Sequence, residues 1–150
     1  MRKYIREVLA GVLHSICLPY HAKPTTGITV YTIEGKSPDN RYVFLRGVEE
    51  MKAGEGYLFC SNHKKAVFLC EDDSVTVPAE GTPLQGTFQF NPELPKYSYI
   101  LYDNSWYLAG NRVSIDSYCA FLHIDALPNR TTGLAMNVYT CELLLQLSAG

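Results

Sequence analysis

The side chains with chemistry to offer are five cysteines and four histidines. A thiol beside an imidazole makes a nucleophile and its base, and several such groups together make a metal site. Three pairs fall close in the chain: Cys17 with His21, Cys119 with His123, and Cys60 with His63. On a strand, residues four apart share a face but lie about 13 Å apart, too far to bind one metal together. The paired CxxC and HxxxH spacings of zinc sites are missing. A metal would need ligands converging from several strands, and no metal site is expected. Cys60 and His63, beside and on a polar loop, are the most exposed pair and carry the alternative reading of a Cys/His-dependent enzyme. The plainer reading is a solvated loop histidine next to an edge cysteine. No GxSxG, HExxH, P-loop or GxGxxG occurs, so neither a catalytic residue nor a cofactor is assigned. Glu49-Glu50 and Asp72-Asp73 are adjacent acids, which strand geometry sends to opposite faces. Cys17, Cys60, Cys70, Cys119 and Cys141 are odd in number, and four of them sit in apolar runs. They read as free structural thiols.

The aromatic inventory is richer: 11 Tyr, 6 Phe and 1 Trp in 150 residues. Tyr and Trp on a rigid β surface supply contact area with little entropy lost on ordering, and they stack on sugar rings. The candidate contact surface is Tyr102, Trp106, Tyr107, Tyr139, Leu143 and Leu145. Most other aromatics read as core or cross-strand partners. The triplet Asn129-Arg130-Thr131 matches a glycosylation sequon, but such triplets arise by chance.

Strands must position these residues, because helical signals are almost absent. Short runs rich in Val, Ile, Tyr, Phe and Thr recur every ten or so residues between turn residues. Strands are expected near 3–8, 13–18, 27–33, 41–48, 56–60, 66–71, 84–90, 97–102, 105–109, 117–124 and 137–147. Residues 97–109 read as a hairpin turning at Asp103-Asn104, with Leu101 opposite Trp106, Tyr99 opposite Leu108 and Ile100 opposite Tyr107. Both faces of that hairpin are apolar, so both are covered or one is an interface. Residues 57–60 and 66–70 read as a second hairpin with a five-residue loop. Pro19 ends one run and bends the chain. In 137–147, Tyr139, Cys141, Leu143, Leu145 and Leu147 face one way while Thr140, Glu142 and Gln146 face the other. A long strand at this end must pair within the domain or across a subunit boundary.

The expected fold is all-β, an antiparallel β-sandwich of about ten strands without substantial helix. Residues 1–127 form the sandwich, and 128–150 a linker (128–136) plus a terminal strand packing on the domain or on a neighbouring subunit. Apolar residues make up 47% of the chain, enough for a core. Thirteen Lys and Arg against fifteen Asp and Glu leave a net charge of −2, with no basic stripe for nucleic acid. No apolar run approaches the roughly 20 residues of a membrane span. Charged residues are only 19%, below the roughly 25% common in globular domains, which hints at surface given over to assembly.

Several phrases, read in order, resemble a known family. Tyr4-Ile5-Arg6-Glu7-Val8, then Gly11, then Ser15-Ile16-Cys17-Leu18-Pro19-Tyr20 is similar to the "Y-x-R-E-V…G…T-I-C-L-P" opening of a β-rich domain. That domain is common at the C-terminal ends of secreted and surface proteins of Bacteroidetes, including leucine-rich-repeat surface antigens. Residues 27–33 resemble its second phrase. Ala53-Gly54-Glu55-Gly56-Tyr57-Leu58-Phe59 resembles its "A-G-x-P-Y-L-F", with Gly56 where a Pro is usual. Leu84-Gln85-Gly86-Thr87-Phe88 resembles "L-x-G-T-F". Tyr99-Ile100-Leu101 and Tyr118-Cys119-Ala120-Phe121-Leu122 resemble "Y-V-L" and "R-A-Y-L", the latter with Cys119 in place of the Arg-type entry. The match spans about residues 3–125 and leaves the tail outside. It implies that residues 4–20 are folded strands and not an export signal. It further implies a non-enzymatic structural or adhesive β module displayed on a surface, with no catalytic motif to carry across. Phages of these bacteria carry similar modules on fibres and capsid decorations, so a virion and a bacterial cell surface are both expected settings. The expected partners are other protein subunits, as a homo-oligomer or larger assembly, and a surface glycan in the alternative reading of a carbohydrate-binding module.

Overall fold

The computed structural model describes residues 2–90, 92–109, 114–142 and 148–149. The chain is all-β. Its strands are β1 (Arg2–Glu7), β2 (Leu13–Cys17), β3 (Tyr20–Pro24), β4 (Ile28–Lys36), β5 (Tyr42–Val48), β6 (Gly56–Ser61) and β7 (Lys65–Ser74). They continue as β8 (Leu84–Thr87), β9 (Tyr99–Tyr102), β10 (Ser105–Leu108), β11 (Ser114–Ile115), β12 (Cys119–Leu122), β13 (Leu134–Glu142) and β14 (Ser148–Ala149). One 3-10 turn, Ile124–Ala126, is the sole helical element among the described residues.

Nine strands form one large sheet in the order β2-β6-β4-β5-β13-β10-β9-β12-β8, and three form a small sheet, β1-β7-β3. β11 and β14 make a two-stranded parallel pair. The large sheet curls until its two ends meet. The Cys17 N–H donates to Tyr118 O at 2.9 Å, and the Ala120 N–H donates to Ser15 Oγ at 2.9 Å. The barrel-like interior holds Leu45, Leu58, Leu101, Trp106, Leu122 and Val138. A second core, with Ile16, Val30, Phe59, Ala66 and Phe68, lies between the small sheet and the β2-β6-β4 part of the large one.

Local chemistry explains the turn at the heart of the β9–β10 hairpin. Asp103 and Asn104 take φ of 48° and 61°, the left-handed values that a two-residue hairpin loop requires. The register is the expected one: Leu101 opposite Trp106, Ile100 opposite Tyr107, Tyr99 opposite Leu108. Pro19 likewise marks a real change of direction, since the chain leaves the large sheet at Cys17 and enters the small one at Tyr20.

The second expected hairpin does not form. β6 is already flanked by β2 and β4, so it has no free edge for β7. The chain instead arches from the large sheet to the small one, where β7 pairs with β1 and β3. Phe59 and Phe68 meet edge to face across the two sheets, at 5.2 Å and 82°. Ser61 Oγ donates to Lys65 O and accepts the His63 N–H, which holds the arch. β3 is short and polar, with Ala22 its one buried side chain, so no apolar run announces it. A long β7 buttresses it, and propensity has little part in it.

β13 begins at Leu134, inside the stretch expected to be linker, and it packs on the domain. Its first half pairs antiparallel with β5, Asn137 opposite Tyr42. Its second half pairs parallel with β10, Val138 opposite Trp106 and Tyr139 opposite Tyr107. The large sheet is therefore not purely antiparallel.

Arg6 ties the two sheets together. It donates to the Tyr4 hydroxyl at 2.9 Å, to Ser15 O at 2.7 Å and to Tyr118 O at 2.8 Å, and its guanidinium lies 5.5 Å from the Phe59 ring centroid. Where the sheet closes, Gly86 faces Cys17: a Cβ at Gly86 would overlap Cys17 Sγ and Cβ. Overpacking of this kind costs about 1–3 kcal/mol. Gly86→Ala is therefore expected to lower stability by about that amount in urea unfolding. Cys17→Ala should recover only part, because the Cys17 Cβ stays in place; additive effects of the two substitutions would contradict this packing.

Candidate functional site

The outward face of β5, β13, β10 and β9 collects tyrosines from four strands. Strand alternation sends Tyr99, Leu101 and Trp106 into the core and leaves Tyr102 and Tyr107 pointing out. On β13, Met136 and Val138 are buried while Asn137 and Tyr139 are exposed. Tyr42, the cross-strand neighbour of Asn137, shares that face. Tyr42 and Tyr139 are each 42% exposed and Tyr102 is 39% exposed. The Tyr107 and Tyr139 rings stack at 5.2 Å with 28° between planes, and Tyr102 meets Tyr107 edge to face at 6.4 Å. These rings make a continuous row. Ile100, on the same face, is buried with Ile115 and Phe121, so only part of that face is covered.

The structure thus brings together Tyr102, Tyr107 and Tyr139 from the expected contact surface. Trp106 does not belong to it. Its neighbours in β9 and β13, Leu101 and Val138, are core residues, and Trp106 is fully buried between them. Its indole Nε1 has no hydrogen-bond partner among the described residues. Leu143 and Leu145 lie outside the described residues, as does Leu147.

An open cleft of about 380 Å³ lies at the β5 end of the row, lined by Asp39, Asn40, Arg41, Tyr42, Asn137 and Tyr139, among others. A tight turn shapes it. Ser37 Oγ donates to Asp39 Oδ1 at 2.7 Å and accepts the N–H groups of Arg41 and Tyr42. Asn40 takes φ of 60°, which asparagine tolerates better than most residues. The Val138 N–H donates to Arg41 O at 2.8 Å, fastening the turn to β13. The Ser37 hydroxyl and the Arg41 N–H hold the Asp39 carboxyl below the usual carboxylate range. Arg41 Nε lies 3.8 Å from Asp39 Oδ2. Sequence reasoning missed this cleft. Pro38-Asp39-Asn40 does signal a turn, but only the long-range register of β5 with β13 sets it beside Tyr139.

The thiols and imidazoles look different. Cys17, Cys70 and Cys119 are buried and unbridged, and Cys60 is half-buried and unbridged. Burial pushes the Cys17 thiol up to about 12, with Cys119 and Glu55 adding to the effect. Burial also raises Cys119 and Cys70. Thiols held protonated in this way are poor nucleophiles. Cys60 shares its side of β6 with the core residue Leu58, while the His63 ring packs against Gly27. Among the described residues no group of three or more His, Cys, Asp or Glu converges as a metal site would require. No helix among them is long and apolar enough to cross a membrane.

Comparisons with protein-family models, with curated proteins and with solved structures return no match. The geometry must speak for itself. Its thiol environments predict an order of reaction with iodoacetamide under native conditions, read by peptide mapping. Cys60 should be modified well before Cys17, Cys70 and Cys119, which should react only on unfolding. Early labelling of Cys17 would contradict the burial described above.

Proposed function

We propose that this chain is a non-enzymatic adhesive β module that engages its target through the tyrosine row of Tyr42, Tyr139, Tyr107 and Tyr102. One observation carries the reading: the β9–β10 hairpin and the sequence-distant β13 set the Tyr102, Tyr107 and Tyr139 rings against one another, with Tyr42 of β5 lining the adjoining cleft, partly exposed on a sheet whose other face is packed. Preordered aromatic rings that stay half-exposed lose little entropy on binding, and Tyr is enriched where binding energy concentrates. A tyrosine row with no partner would be a costly surface for a free monomer, because contiguous apolar surface favours association. Its setting is a virion or a bacterial surface of the Bacteroidetes type, which the resemblance of residues 3–125 supports. Assembly with further subunits belongs to the same reading.

The test is binding of fluorescently labelled protein to whole Bacteroidetes cells by flow cytometry. A Tyr102→Ser, Tyr107→Ser, Tyr139→Ser variant should lose binding by about tenfold or more, as expected when several anchor residues go. Circular dichroism should show the same strand content as the parent chain. Undiminished binding by the folded variant would overturn the reading, and so would an enzymatic turnover lost on alkylating Cys60.

A further inference from the structure

We infer that the cleft between the Ser37–Tyr42 turn and β13 is a subsite for one neutral pyranose unit of a glycan. The inference rests on the adhesive reading and gives its target a chemical class. Four features of the cleft point to a sugar.

The first is its walls. Tyr42 and Tyr139 line it, and Tyr139 is backed by the stacked Tyr107 ring, which holds it in place. An aromatic face of this kind accepts the C–H face of a pyranose ring, as it accepts other apolar surface with a polar edge.

The second is the polar complement. Asp39 supplies a carboxylate, Arg41 a guanidinium and Asn137 a carboxamide, all within one cleft. Each can meet a pair of neighbouring hydroxyls with two hydrogen bonds, the carboxylate accepting, the guanidinium donating, the amide doing both. The Asp39 carboxylate is already oriented by Ser37 Oγ at 2.7 Å and by the Arg41 N–H at 3.1 Å, so little ordering remains on binding.

The third is charge. The lining holds one acid and one base, 3.8 Å apart, and no lysine. The pair cancels at short range. A phosphate, a uronic acid or a sialic acid would find no net positive field here, whereas a neutral polyol needs none.

The fourth is size. At about 380 Å³, open to solvent, the cleft sits at the small end of the roughly 300–1,000 Å³ range of small-molecule sites. One ring fits within it, and the rest of a chain continues along the tyrosine row towards Tyr102.

Saturation-transfer NMR and titration calorimetry with neutral methyl pyranosides, followed by an array of neutral oligosaccharides, test the assignment. The parent chain should show saturable binding to at least one neutral sugar. Asn137→Ala and Asp39→Asn, both at exposed positions, should weaken that binding by tenfold or more with the fold intact by circular dichroism. Val77→Ser, at an exposed position outside both the cleft lining and the tyrosine row, should leave the single-sugar binding within about twofold. Absence of binding to every neutral sugar would overturn the inference, as would binding only to anionic glycans or binding indifferent to Asn137→Ala. A concentration-dependent dimer that Asn137→Ala disrupts, with no sugar bound, would also overturn it and assign the cleft to a second copy of the chain. If cells are bound through the tyrosine row yet no sugar is, the subsite fails and the adhesive reading stands. If sugar binds as described while the triple tyrosine variant still binds cells fully, the subsite stands and the adhesive reading fails.

Discussion

Everything on the outer face depends on where β13 runs. It is the one strand that joins the β2-β6-β4-β5 half of the large sheet to the β10-β9-β12-β8 half. It does so by changing partner along its length, antiparallel to β5 up to Asn137 and parallel to β10 from Val138. A one-residue slip of β13 would send Met136 and Val138 outward and bury Asn137 and Tyr139, because side chains alternate with period two. The apolar core and the tyrosine row are thus two consequences of one register.

That register is enforced from the inside. Val138 and Trp106 lie opposite each other in the same core as Leu101 and Leu45. From the outside, the Val138 N–H bonded to Arg41 O fixes the turn that shapes the cleft. At the far ends of the sheet, the Cys17 to Tyr118 bond and the contact of Cys17 with Gly86 close the curl. The small sheet then covers the β2-β6-β4 surface, and Arg6 bridges the layers. The tyrosine face remains on the side that the small sheet does not cover. This arrangement separates stability from recognition: the residues that hold the fold point inward, and those proposed to bind point outward.

Much of this was legible in the chain. Period-two patterning gave away most of the strands, and Asp103-Asn104 gave away the register of β9 and β10 down to individual pairs. Tyr102, Tyr107 and Tyr139 could be nominated for contact from composition and strand alternation. Trp106 could not be separated from them, because alternation says that neighbouring residues face opposite ways without saying which way is in. The β6–β7 hairpin misled for a related reason. Two apolar runs joined by a short polar loop look alike whether the chain folds back in one sheet or arches to another. What decides is whether the edge of β6 is free, and β2 and β4, remote in sequence, had taken it. Tyr42 and Asn137 lie 95 positions apart, and no local pattern announces that they meet.

The central claim is that β13 holds the tyrosine row in place in the free protein, before any partner arrives. Native-state hydrogen exchange of the backbone amides tests it most directly, with the chain as a dilute monomer. The amides of Met136, Val138 and Tyr139 should exchange as slowly as those of Leu58 and Phe59 in β6, opening only with global unfolding. Exchange of the β13 amides at the rate of the exposed loops, while β6 stays protected, would contradict the account.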